Sequence, residues 1–101
     1  MIIYNITVKV DWSIHAAWLL WMRQSHIKDV MDTGCFSKYQ MVRLLKTDDE
    51  QGPTYALQFY AENMDDYTRY MQSFANALRQ KNTALWGDKF VAFGSLMQIV
   101  H

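Results

Sequence analysis

The chain has 101 residues, half of them hydrophobic and 15% aromatic, the size and apolar content of one folded domain, which excludes a disordered chain. Ten Lys and Arg balance ten Asp and Glu. Without a basic excess or a basic cluster, no nucleic-acid partner is expected. The only cysteine, Cys35, excludes an internal disulfide and a cysteine-based zinc site, and a lone thiol suits a reducing compartment.

Residues 2–10 alternate, with Ile2, Tyr4, Ile6, Val8 and Val10 on one face and Ile3, Asn5, Thr7 and Lys9 on the other, the period of a strand. Asp11 and Ser13 supply N-cap chemistry for a helix over residues 13–32, closed near Gly34. Its apolar run, Ala16 to Met22, falls well short of the about 20 residues a membrane span needs, so no membrane partner is expected. The N-terminus opens directly into the strand pattern, and no signal peptide is expected.

Residues 35–45 read as a second strand and Lys46 to Pro53 as a polar loop ending in Gly-Pro. Residues 54–61 make a third strand, which should form a hairpin with the second. Asn63, followed by Asp65 and Asp66, opens a second helix. Its stripe is Tyr67, Tyr70, Met71, Phe74 and Leu78, and it runs toward Trp86 before Gly87. Residues 89–100 make the last strand. The whole chain, residues 1–101, then reads as a single α+β domain of order βαββαβ, the ferredoxin-like arrangement: an antiparallel four-stranded sheet with two helices on one face.

Two helices leave one sheet face bare, and a monomer should make that face polar. The last strand instead carries Phe90, Ala92, Leu96 and Val100 on one side and Val91, Phe93, Met97 and Ile99 on the other. The second strand doubles in the same way, with Phe36, Val42 and Leu44 opposite Tyr39, Met41 and Leu45. A chain this short also buries only about 60–70% of its unfolded surface. A homodimer packed through the sheet face is therefore expected.

The opening MIIYNITVKVD, the segment WLLWMRQSHIKDVMDTGCFSKYQMVRLL and the ending KFVAFGSLMQIV together resemble a small bacterial family of unknown function in the dimeric α/β-barrel, ferredoxin-like group. The resemblance covers nearly the whole chain. It implies that the sheets of two copies pair as a dimeric α/β barrel and that the protein is cytoplasmic. It brings no activity. The wider fold group includes haem-degrading and quinol monooxygenases, isomerases and ligand-binding modules, and fold alone does not choose among them.

Candidate site residues come from polar positions inside apolar patterns. His15, Leu19, Met22, His26 and Val30 share one face of the first helix, with Trp18 beside them. If that face meets the sheet, His26 lies in the apolar layer, where it is an acid, base or ligand group. The commoner arrangement is a core histidine bonded to a backbone carbonyl. Trp18 and Trp21 cannot both point at the sheet, so one lies at the helix flank. Asn5, Gln58 and Tyr60 are polar members of the first and third strands, and Arg43 either joins them or reaches solvent. They form a ligand-orienting cluster in an apolar cavity or, more commonly, a hydrogen-bond network between copies.

No metal is expected. His15 and His26 are eleven residues apart, about 16 Å along a helix, and no His-x-x-x-His or Glu-x-x-His pattern occurs. No dinucleotide fingerprint, phosphate-cradling loop or Gly-x-Ser-x-Gly is present, and no cofactor is expected. Three functions stay open. The first is a homodimeric module binding a small apolar or aromatic molecule near Trp18, Met22 and His26. The second is a cofactor-light monooxygenase or isomerase with His26 as the acid/base group and Asn5 or Tyr60 as polar anchor. The third is an interaction protein whose aromatic layer is simply core.

Overall fold

The alternating opening segment forms strand β1 (Ile2–Val10) in the computed structural model, which describes residues 1–101. The other strands are β2 (Lys38–Arg43), β3 (Thr54–Ala61) and β4 (Phe90–Gln98). The sheet order is β2-β3-β1-β4, and every neighbouring pair is antiparallel. The period of two sorts the strands into faces. On one face Ile2, Tyr4, Val8 and Val10 join Tyr55, Leu57, Phe59 and Ala61 in a buried layer.

The helices cover that layer. The first helical stretch runs as α1 (His15–Trp21), a wider turn (Met22–His26) and α2 (Ile27–Met31). Two more helices follow, α3 (Met64–Ser73) and α4 (Ala75–Trp86). The core joins Trp18, Met22, Ile27 and Val30 to the sheet residues and to Phe36, Tyr70, Ala75 and Leu78. No helix is long and apolar enough to cross a membrane.

The α+β class and the antiparallel four-stranded sheet match the sequence pattern, but the barrel and the helix count do not. The sheet is open, not closed into a barrel. β2 pairs only with β3 and β4 only with β1, so both outer strands keep a free edge. Short β2 has nothing to close against, since only Lys38–Arg43 pairs out of the expected 35–45. Taking α1, the wider turn and α2 as one continuous helix, there are three helices rather than two, because the stretch after Asn63 breaks at Phe74 (φ −129°).

Local chemistry explains the ends of these elements. The Asn63 side chain accepts a hydrogen bond from the Asp66 N–H at 2.9 Å and caps α3, as the Asn-Met-Asp-Asp pattern predicts. Gly87 takes φ +58° beyond the end of α4, where a side chain is strained. At Gly52 the chain crosses the end of β1, with Val10 N–H donating to the Pro53 carbonyl at 3.0 Å. A Cβ there would lie 1.6 Å from the Val10 carbonyl oxygen, and the backbone it meets is held by the sheet. Gly52→Ala should therefore cost about 3 kcal/mol, and Asn63→Ala only about 1 kcal/mol. Urea denaturation of the two variants reads this order directly.

Candidate functional site

The first helix does not keep α geometry throughout. Ile27 N–H donates to the Met22 carbonyl, five residues back, so the turn over Met22–His26 is a π turn. The wider turn rotates the following residues backward, and His26 and Ile27 both face inward. Trp21 lies at the flank, half-buried, with its ring stacked on His26 at 5.0 Å and edge-on to Trp86 at 5.8 Å. Trp18 is the tryptophan that points at the sheet. It is fully buried against Tyr55, 5.4 Å away.

α3 lies against β1 and β3, while α4, beyond the break at Phe74, gives Ala75 and Leu78 to the core and reaches β1 through Arg79 and Tyr4. A cleft of about 290 Å³ opens between α4, the π turn and the β1–β4 half of the sheet. Its floor is Tyr4, Ile6, Val8, Ala92 and Gly94, and its helical wall carries Met22, His26, Tyr70, Leu78, Arg79, Asn82 and Thr83. The volume sits at the small end of ligand pockets, and a mainly apolar lining with a few converging polar groups is their usual composition.

The polar groups come from three elements. Arg79 Nη2 donates to the Tyr4 hydroxyl at 3.0 Å. Tyr4 reaches it because Gly94 leaves room; a Cβ at Gly94 would lie 3.1 Å from the Tyr4 ring. The Tyr4 bond and neighbouring phenols keep Arg79 firmly cationic, and it is the one lysine, arginine or carboxylate side chain in the lining. Burial pushes the Tyr70 phenol well above its ordinary range. Two of the three buried polar side-chain atoms without a hydrogen-bond partner lie on α4: Asn82 Oδ1 and Trp86 Nε1, with Trp18 Nε1 the third.

The residues singled out from sequence do not all come together. Met22 and His26 line the cleft. Trp18 belongs to the core beneath α1 and is not part of the lining. Asn5 and Tyr60 face the other side of the sheet, where Asn5, Gln58, Gln40 and Ser95 form a polar row across all four strands. Gln40 Nε2 donates to Gln58 Oε1 at 3.2 Å in that row, and Lys38 lies over the Tyr60 ring at 4.6 Å. Arg43 is on the helix side at the β2 edge, paired with Asp49 at 3.0 Å and 5.9 Å from the Trp12 ring. Sequence reasoning missed Tyr4, Arg79 and Asn82 as site residues. A signal for the last two exists: Ala75, Leu78, Arg79, Asn82 and Trp86 fall at helical spacing, and two polar residues interrupt that stripe.

A family model described as "Domain of unknown function (DUF4286)" matches residues 1–100. A search of curated proteins finds no match. Solved structures share the fold at low identity. An ethyl tert-butyl ether d (ethd) family protein from Bacillus halodurans has a TM-score of 0.69 at 9% identity, covering 99% of this chain and 100% of that one. A dimeric ferredoxin-like protein from an uncultured marine organism has a TM-score of 0.68 at 9% identity, over 99% and 95% of the chains. A variant of SnoaB, a cofactor-independent oxygenase from Streptomyces nogalater, has a TM-score of 0.68 at 10% identity, over 99% and 94%.

Burial lowers the pKa of His26 from 6.5; Asp29 opposes the shift and Lys81 adds to it. These two side chains pair across α2 and α4 at 3.9 Å. His26 is accordingly neutral at pH 7. Below the ordinary imidazole value of 6.5 the unfolded chain binds a proton that the native chain does not. Stability should fall as pH drops from there to the lower native value. The His26→Gln variant should lose that part of the slope, measured by urea midpoints at a series of pH values.

Proposed function

We propose that this chain, which belongs to the DUF4286 family, binds a small, largely apolar carbonyl or enol compound in the cleft and moves a proton on it, with His26 as the base. The observation that carries this is the convergence of a buried, neutral imidazole and a lone cation, Arg79, on one apolar cleft without a carboxylate. A neutral imidazole accepts the proton from carbon next to a carbonyl, and the electron pair moves onto the carbonyl oxygen. The developing oxyanion is stabilised by the Arg79 guanidinium, whose attraction is strengthened by the apolar surroundings. The Arg79–Tyr4 bond holds that guanidinium in place.

Returning the proton to a different atom makes the reaction an isomerisation. If dioxygen instead takes the electron pair and the resulting carbon-bound hydroperoxide loses water to leave a new C=O group, one oxygen atom stays on the substrate, the other leaves as water and the substrate is the only reductant, a cofactor-light monooxygenation. The description of SnoaB as a cofactor-independent oxygenase is in keeping with the second outcome for that protein, and both share the first proton transfer. An apolar lining also supports binding without turnover, which the same experiment separates. The protein should speed exchange of the α-protons of β-tetralone into deuterated solvent, followed by proton NMR. His26→Ala should slow that exchange about 100-fold, and Arg79→Met should slow it with the fold intact. Binding of β-tetralone without faster exchange would leave a binding module and remove the catalytic reading.

The open face of the sheet supports a homodimer. Val91 and Phe93, on the same face as the polar row, are 69% and 62% exposed. Exposed apolar groups flanking hydrogen-bonding side chains are what an interface between copies uses. Val91→Lys should shift the protein from dimer to monomer in sedimentation velocity; a wild-type chain that already sediments as a monomer at micromolar concentration would remove the dimer.

A further inference from the structure

The bond between Arg79 and Tyr4 has a direction. A guanidinium only donates, so in the 3.0 Å bond from Arg79 Nη2 the Tyr4 hydroxyl is the acceptor. The hydroxyl keeps its own proton, and no protein group accepts it, since this is the only hydrogen bond the Tyr4 side chain makes. A buried tyrosine normally gives that proton to a partner. The Tyr4 ring packs against Phe36, Tyr67 and Tyr70. Its hydroxyl end lies instead beside two exposed residues of the cleft lining. One is Arg79, and the other is Gly94, where a Cβ would come 3.5 Å from the Tyr4 oxygen.

Accepting a bond from a cation polarises the O–H and makes it a stronger donor. Arg79 also keeps capacity for a ligand. Its bond to Tyr4 and a 4.0 Å contact with Met71 Sδ both leave from Nη2, so the Nε and Nη1 hydrogens have no protein acceptor. An oxygen about 2.7 Å from the Tyr4 hydroxyl lies within about 6 Å of Nη2 whatever its direction, a range at which a positive charge stabilises an anion. The lining holds no Asp or Glu to repel one. We infer that Tyr4 donates to the ligand's oxygen alongside Arg79, and that the cleft therefore prefers compounds whose oxygen carries negative charge: ionised phenols and the enolates of readily enolised carbonyl compounds. The inference rests on the cleft being the ligand site proposed above. It gives Tyr4 a contact with the substrate in addition to the support it gives Arg79.

Two probes of one shape test it: pentafluorophenol, which is ionised at neutral pH, and pentafluorotoluene, which has a methyl group in place of the oxygen. Each is titrated into the full chain and followed by fluorine NMR of the probe and by the shifts of cleft amides. The wild type should bind the phenolate about 100-fold more tightly, about tenfold from each donor. Arg79→Met should keep a preference of about tenfold. Tyr4→Phe added to Arg79→Met should bring it to about one, with the affinity for pentafluorotoluene kept. That second step separates contact from support, because without the guanidinium Tyr4 has nothing to hold in place. In the wild-type chain with labelled tyrosine, Tyr4 Cζ should shift with the phenolate and not with pentafluorotoluene, a reading that needs no variant to fold. An Arg79→Met preference that Tyr4→Phe leaves unchanged overturns the donor role, and so does a Cζ that does not respond. Equal wild-type affinities overturn the preference for an anionic oxygen, while proton exchange on β-tetralone still decides the role of His26. Silence of every cleft amide toward both probes overturns the cleft as a ligand site.

Discussion

The bend at Phe74 decides what the second half of the helix layer can cover. Ahead of it, α3 presses Tyr70 against Phe36 at 4.9 Å and Tyr4 at 6.0 Å, sealing one half of the sheet. Behind it, α4 still gives Ala75 and Leu78 to the core, while Ala92 and Gly94 of β4 are left exposed on the same face. A straight helix from Asn63 to Trp86 would carry one stripe along one direction. The broken one closes the core with its first segment and with Ala75 and Leu78 of its second, which also lines a cleft with Arg79, Asn82 and Thr83. Tyr4 belongs to both halves, because its ring packs on the α3 aromatics and its hydroxyl takes the Arg79 bond from α4.

How much of this was legible from residues alone depends on the range of the signal. β1 and β3 follow from alternation, the loop before Pro53 from its composition, and the α3 cap from Asn63. These are local patterns, decided by residues next to one another. The break at Phe74 has no glycine or proline to announce it. The π turn is equally silent, since Met22, His26 and Val30 satisfy an α-helical stripe as well. The homodimer is read from apolar residues on both faces of β2 and β4, whereas the barrel comes only from the family resemblance, and the outer strands, which pair on one side only, leave the sheet open.

The candidate site shows the same division. The helical spacing of Met22 and His26 brings them to one cleft. Asn5 and Tyr60 have odd and even numbers yet share a face, because they sit on antiparallel strands whose partner assignment pairs Asn5 with Gln58 and Ile3 with Tyr60. The sheet separates that polar face from the cleft, so the molecule has two distinct polar sets rather than one. The row Gln40, Gln58, Asn5 and Ser95 is neutral and runs across the strands. The cleft set carries a positive charge and is partly unmet. The neutral row suits recognition of a similar surface, and the charged set suits a ligand with developing negative charge.

The order of the strands also bears on how the sheet assembles. β1 is an inner strand, flanked by β3 and by β4, the strand farthest from it in the sequence. Until β4 docks, one edge of β1 has no partner, and its backbone from Ile2 to Val10 is free to pair with any strand within reach. Such distant pairing slows folding and prolongs exposure of a sticky edge. The sheet is thus complete only when the strand most distant from β1 in sequence has docked, and until then the bare edge of β1 is a place where a second copy can pair.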